Sequence, residues 1–339
     1  MSYFILIITP LIIYFVSEFF KKNYILLNYT GDTHQKFTSK DKIPLTGGLF
    51  IFIFFSFFFH TQIYLIIFIT LVFLLGIFSD LKIFNSPKIR LLVQLFILFF
   101  LIISSDLSLE NTKIIVIDKL INMKFYNYCF VLFCLLILLN GTNFIDGLNT
   151  NVLGYYIIVS FFMFSLNREF FIENFDQWFL WILFLLILYL FNFFNKLFLG
   201  DSGSYVLGLI YGYLMIEFYK STNFVSSLFI VVLVWYPCFE LLFSIIRKFR
   251  FNKSPIFADT KHFHQLLFLN IKKSFKFSNL KSNLISASII NLFNLFIIFL
   301  ASLYPGNSQY QMLIIISTII IYIWFYLTFF KRIFIKSHM

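Results

Sequence analysis

Eleven apolar runs divide this chain, near residues 3–20, 47–60, 62–79, 91–105, 125–142, 151–166, 177–194, 203–219, 224–246, 283–304 and 311–330. A hydrocarbon core of about 30 Å needs roughly 20 apolar residues per helix, with about 17–25 tolerated. Backbone polar groups have no water to bond there, so runs of this kind predict helices that satisfy their own hydrogen bonds. The expectation is an all-α integral membrane protein of about 11 transmembrane helices. Only 12% of the 339 residues are charged and 60% are hydrophobic, against about 25% and 45–50% in soluble domains, which excludes a soluble globular fold. Lys21 and Lys22 follow the first run where a cleavage site would need small residues, so that run is predicted to be a retained span.

Charge orients the bundle. Lys and Arg number 26 against 15 Asp and Glu, a net charge of +11. In a soluble chain that excess would suggest a nucleic-acid partner, but here the basic residues lie between apolar runs and act as orientation signals, so no nucleic acid is expected. Five of them, Lys113, Lys119, Lys124, Arg168 and Lys220, fall in one set of alternate loops, and all the others fall in the opposite set. Because positive loops stay cytoplasmic, this predicts an outside N-terminus, a cytoplasmic C-terminus and a multi-pass place in the cell (inner or plasma) membrane. Cys129, Cys134 and Cys238 lie in or beside apolar runs, which argues against a disulfide framework or a zinc site. No internal repeat or linker divides the chain, so residues 1–339 read as one polytopic domain with its motifs between about 30 and 270.

Asp32, Asp41, Asp80, Asp146, Asp201 and Asp259 share the side of the basic loops, where no rule of orientation requires them. Polar groups near hydrocarbon are costly, so a ring of them at one face marks a site. The clusters are Pro44–Gly48, Ser79-Asp80, Asn140–Gly147, Gly200–Ser204 and Asp259–Gln265. Singly, each is explained by packing, capping or a helix-end turn. Together they suggest phosphoryl transfer at the membrane surface. Gly200–Ser204 sets Asp201 against the start of a span, where free N–H groups and the missing Cβ of Gly203 would let an anion approach closely. Mg²⁺ characteristically takes one or two carboxylates and completes its shell with phosphate oxygens and water. Asp80, Asp146 and Asp201 would supply the charge, and Lys36, Lys42, Lys261, His262 and His264 the counter-charge for a pyrophosphate. Lys36 suits a lipid phosphate at the bilayer surface.

The ordered motifs Ile43-Pro44-Leu45-Thr46-Gly47-Gly48, Gly76–Asp80 with Ser86-Pro87-Lys88-Ile89-Arg90 and Gln94, Asn140-x-x-Asn143-x-x-Asp146-Gly147, Phe198–Ser204, Tyr236–Glu240 and His262-Phe263-His264 resemble those of the polyprenyl-phosphate N-acetylhexosamine-1-phosphate transferases, glycosyltransferase family 4. Members of that family initiate O-antigen, enterobacterial common antigen and teichoic-acid linkage synthesis, and a related branch makes the first lipid intermediate of peptidoglycan. The resemblance implies a Mg²⁺-dependent enzyme, Mn²⁺ being an alternative. It would transfer sugar 1-phosphate from a UDP-N-acetyl amino sugar to undecaprenyl phosphate, releasing UMP in the initiating step of envelope polysaccharide synthesis. By the same resemblance Asp201 matches the metal-binding aspartate, and Asp80, the second residue of an Asp-Asp pair, is a catalytic and metal candidate. Asp146, His262 and His264 are catalytic candidates. Asn143, Asn149, Phe198, Gly203 and Ser204, with Lys36, are candidates for substrate binding, Phe198 near the uracil. The expected partners are the lipid acceptor, the nucleotide sugar, the bilayer and, as one assembly, a second copy of the chain.

Four positions depart from the family pattern: Ser79 and Asn149 stand where aspartates are expected, Glu240 where the ninth span carries an aspartate, and Gln265 where a histidine motif ends. Three readings follow: a divergent active enzyme, an altered donor preference, or a partly inactive paralogue. The first two are favoured jointly because Asp80, Asn143, Asp146, Asp201 and two histidines persist. A lipid-linked substrate transporter or flippase would also need many spans, but it predicts ionisable groups at mid-membrane, and here most lie at one face.

Overall fold

A computed structural model of the chain describes residues 2–28, 42–167, 170–171, 175–250 and 261–335. Among them are fourteen α-helices, and no β-strand beyond a single bridge between Leu27 and Pro44. They are α1 (Ser2–Lys22), α2 (Gly47–Phe58), α3 (Ile63–Asp80), α4 (Pro87–Ser104), α5 (Ile115–Ile121), α6 (Lys124–Ile145) and α7 (Asn151–Leu166), then α8 (Phe175–Phe193), α9 (Gly200–Ser221), α10 (Ser227–Leu233), α11 (Trp235–Arg250), α12 (Phe263–Phe275), α13 (Asn279–Ser302) and α14 (Ser308–Phe330). A π-helical turn, Lys331–Ile335, extends the last helix.

Six single helices, α3, α4, α6, α8, α13 and the extended α14, are long and apolar enough to cross a membrane, or seven spans if α10 and α11 count as one. The expected eleven runs each hold a helix, yet several fall short of the length test. α2 has 12 residues and α7 has 16. The ninth run is two helices bent by 78° at Val234. α5 and α12 are helices that lie outside every apolar run.

α9 occupies the middle of the bundle, packed against α2, α3 and α6. Most of its residues are buried, from Ser202 through Phe218. Because protein rather than lipid surrounds it, Gly, Ser and Tyr can fill a helix whose hydropathy is too low for the membrane test. Two of its neighbours touch it backbone to backbone. A Cβ on Gly48 would lie 2.4 Å from the Gly203 nitrogen, and one on Gly76 2.3 Å from the Ser202 Cα. In lipid, where apolar tails compete equally for side chains, close approach through small residues is a principal means of holding helices together. Farther along, aromatic rings do the filling: Phe54 stacks on Phe184 at 4.0 Å and Phe55 meets Trp181 edge-on at 5.6 Å. Such pairs add about 0.5–1.5 kcal/mol each beyond their burial.

Candidate active site

The polar helix ends singled out in the sequence meet at one end of the bundle. α3 ends on Asp80, and its carboxylate turns onto the start of α9. Oδ1 accepts from the Asp201 backbone N–H at 2.8 Å, and Oδ2 accepts from the Ser202 N–H at 3.1 Å and the Ser202 hydroxyl at 2.8 Å. The anion at this N-terminus is therefore the chain's own. Amides that the sequence offered to a phosphate are already bonded, a correction to the expected anion site. Gly200, at φ +72°, closes the contact, since a Cβ there would lie 2.6 Å from Asp80 Oδ2. That backbone region favours glycine.

With its amide held, Asp201 presents its side chain sideways. Oδ2 accepts from Arg90 Nη1 at 2.7 Å and from the Ser79 hydroxyl, and Oδ1 accepts from Asn143 Nδ2 at 2.7 Å. Arg90 also donates to Ser79 Oγ at 2.5 Å, and Asn143 Nδ2 to Ser204 Oγ at 2.9 Å. Four helices thus converge on one carboxylate whose side chain is 27% exposed. Ser79, where the family pattern has an aspartate, links Arg90 to Asp201 as both acceptor and donor. Arg90 is the residue that the sequence reading left without a role, although it stands in the quoted Ser-Pro-Lys-Ile-Arg motif. Its Nε is buried and has no partner among the described residues.

Asp146 follows the last residue of α6, half-buried. Desolvation, reinforced by the charges of Asp201 and Asp80, raises its carboxyl well above the usual aspartate range. His264 lies behind it, 1% exposed, so close that a Cβ on Gly147 would fall 2.2 Å from its Nε2. Its Nδ1 has no partner among the described residues. Burial, then the neighbouring His262, pushes the imidazole down to about 3, so it is neutral at physiological pH. His264 reaches the site through the Asp146-Gly147 turn.

His262 starts α12. Its Nδ1 lies 3.1 Å from Glu240 Oε1, which also accepts from the Phe263 N–H at 3.1 Å, while the Gln265 side chain accepts from the His262 N–H at 3.1 Å. The ring meets Phe144 edge-on at 5.0 Å, and Lys248 Nζ lies 5.8 Å from the same Phe144 ring. Two departures from the family pattern, Glu240 and Gln265, therefore share one cap.

Three expected substrate contacts also have structural partners. Asn149, 4% exposed, donates to Asn192 O at 3.0 Å and Asn195 Oδ1 at 3.1 Å, and its amide donates to Asn283 Oδ1 at 2.8 Å. Gly203 spends its missing Cβ on the Gly48 backbone. Phe198 bonds through its backbone, to Pro44 O and from the Gly47 N–H, each at 2.9 Å. Lys36 and Asp259 lie outside the described residues.

Residues 62–219 match the family described as glycosyl transferase family 4. That stretch carries Ser79, Asp80, Arg90, Asn143, Asp146, Asp201 and Ser204. Those residues thus lie in the part of the chain that is similar to glycosyl transferase family 4. The chain is 28% identical over 158 residues to an undecaprenyl-phosphate alpha-N-acetylglucosaminyl 1-phosphate transferase of Thermotoga maritima, 47% of each chain. It is 38% identical over 74 residues to a probable undecaprenyl-phosphate N-acetylglucosaminyl 1-phosphate transferase of Bacillus subtilis, 21% of this chain and 20% of that one. The aligned part spans about half, or less, of these curated relatives. The family match ends before α11 and α12, so the Glu240–His262 cap lies outside it.

Proposed function

We propose that the chain transfers N-acetylhexosamine 1-phosphate from a UDP-N-acetyl amino sugar to polyprenyl phosphate at the inner face of a cell membrane. The carrying observation is Asp201: fixed at the start of the central helix, partly exposed, and ringed by Arg90, Ser79 and Asn143. In the reaction an acceptor phosphate oxygen bonds to the β-phosphorus of the donor. The bond from that phosphorus to the bridging oxygen breaks, and UMP leaves with the electron pair.

Divalent metal fits the donor set. Burial, then the charges of Asp201 and Asp80, raises the Asp146 carboxyl, and a bound cation would relieve that crowding. Mg²⁺ takes only one or two protein carboxylates and completes its shell with phosphate oxygens and water. Asp201 and Asp146 would hold Mg²⁺ or Mn²⁺, which when bound supplies charge neutralisation to the diphosphate. Asp80, with both oxygens engaged by α9, acts as the positioning group for Asp201. Arg90 and Asn143 carry N–H donors suited to phosphate oxygens. Ser79 cannot serve as a base at neutral pH, and none is required, because a phosphate monoester with a second pKa near 6 is mostly a dianion at about pH 7.5.

The test is UMP release by the purified chain with undecaprenyl phosphate, Mg²⁺ and a panel of UDP-N-acetyl sugars. Release with one or more donors is expected. A folded preparation that releases UMP with none would favour an inactive paralogue. Counter-transport of lipid-linked sugar without chemistry would favour a flippase.

A further inference from the structure

We infer that Glu240 and Tyr322 are positioning residues for His262, which makes the last helix, α14, part of the working unit although it lies far outside the family match. Glu240 is 1% exposed. A buried carboxylate is tolerated only when its oxygens are bonded, and three groups from two other helices do this here. His262 Nδ1 and the Phe263 N–H reach Oε1, and the Tyr322 hydroxyl donates to Oε2 at 2.5 Å. A carboxylate only accepts, so the His262 proton belongs on Nδ1, and proton exchange is left to Nε2.

The ring has little freedom to turn. One side meets Phe144 at 90°, and another stacks on His264 at 5.7 Å with the planes 7° apart. Phe144 follows Asn143, whose amide bonds Asp201, so the orientation of His262 bears on the carboxylate hub across one aromatic contact. α14 grips the same loop a second time, where the Tyr326 hydroxyl donates to Lys261 O at 3.0 Å. Tyr322 is itself caged by Phe263 at 4.8 Å, Phe239 at 5.0 Å and Phe243 at 5.4 Å. Removing only its hydroxyl leaves that packing in place and strips Oε2 of its donor. The carboxylate is then free to turn, and the Nδ1–H bond to Glu240 weakens.

The consequence for catalysis rests on the transferase reading, whereas the tautomer does not, and the experiment separates them. The full chain in detergent is labelled with ¹⁵N-histidine, and its five histidines are resolved with a His262→Gln reference. Wild type should show His262 as the Nδ1–H tautomer. Tyr322→Phe and Glu240→Gln should each move it toward Nε2–H, and Glu240→Asp should partly restore the wild-type signal. UMP release by Tyr322→Phe should fall in kcat by about tenfold, with donor KM within about threefold, the scale seen when a carboxylate behind a working histidine is disturbed. An unchanged His262 signal in both Tyr322→Phe and Glu240→Gln overturns the inference. A shifted signal in a chain whose wild type uses no donor upholds the positioning and removes the transferase reading.

Discussion

Asp80 and Glu240 each lay a carboxylate from one helix against the first N–H groups of another, Asp80 on α9 and Glu240 on α12. Helix starts carry unpaired N–H groups and a partial positive charge, so both contacts rest on the same physics. They differ in what surrounds them. At α9 the backbones of α2 and α3 touch the helix, and Gly200 leaves no room for a Cβ beside Asp80. At α12 the partners are side chains, with Gln265 closing the cap and Tyr322 bracing the acid. A start held by backbone tolerates little change, and the family pattern persists there in Asp80, Gly200 and Asp201. A start held by side chains can be rebuilt when several change together, and Glu240 and Gln265 depart from the pattern as a pair.

The largest expected effect separates presentation from capping. Asp201→Asn should lower UMP release by roughly 10³-fold, the order seen when a preorganised polar group is lost from a transfer site, while the melting temperature stays close to wild type. Asp80→Asn should lower activity by about 10²-fold and also destabilise by about 1–2 kcal/mol, as loss of a helix N-cap does. Measuring both quantities for both variants tests the comparison. An Asp80→Asn protein that melts like wild type yet is inactive would place Asp80 on the substrate instead of on the helix.

The next effect sharpens the α12 side. His264 ordinarily titrates near 6.5 and is pushed down to about 3 by burial. On acidification the unfolded chain takes this proton first, so the contribution to stability is complete above about pH 6.5 and is lost as pH falls toward 3. Between pH 7 and pH 5 the wild type should lose roughly 2 kcal/mol more than His264→Gln. The difference between the two proteins is the measurement, because Asp146, with its raised carboxyl, contributes with the opposite sign in both. Parallel pH curves would mean that His264 gains access to water.

Smallest is Ser79. Ser79→Ala deletes one hydroxyl between Arg90 and Asp201 and should cost about 1 kcal/mol, with activity reduced severalfold. Ser79→Asp should be tolerated, since Arg90 can bridge two carboxylates. A Ser79→Ala enzyme as inactive as Asp80→Asn would give the serine a direct part in the chemistry.

How far these features were legible from sequence follows from their range. Helix ends carrying Asp80, Asn143, Asp201 and His262 stood out because polar residues among apolar runs are conspicuous, and the charge pattern had assigned them all to one side. What each carboxylate touches was not legible, because capping of α9 by a residue 121 positions away leaves no periodic signal. The same holds for Tyr322, which reads as one more apolar position in the last run. Hydropathy also misjudged depth: α9 is among the most enclosed helices and too polar to count as a span, while α4, which passes the test, is 28% buried. The sequence singled out Asn149 because an aspartate is expected there, but not its partners Asn192, Asn195 and Asn283, which only the fold brings together.

The bend at Val234 bears on how the chain is assembled. The Leu233 carbonyl at the break accepts from the Tyr155 hydroxyl of α7 at 2.7 Å. Seven residues, the length of α10, cannot cross a 30 Å core alone, and a carbonyl unpaired in hydrocarbon costs several kcal/mol. During biosynthesis this segment therefore gains a stable seat only after α7 has entered the bilayer and can offer its tyrosine. Tyr155→Phe should accordingly be felt first as poor insertion and early proteolysis of the nascent chain, before any effect on the finished protein.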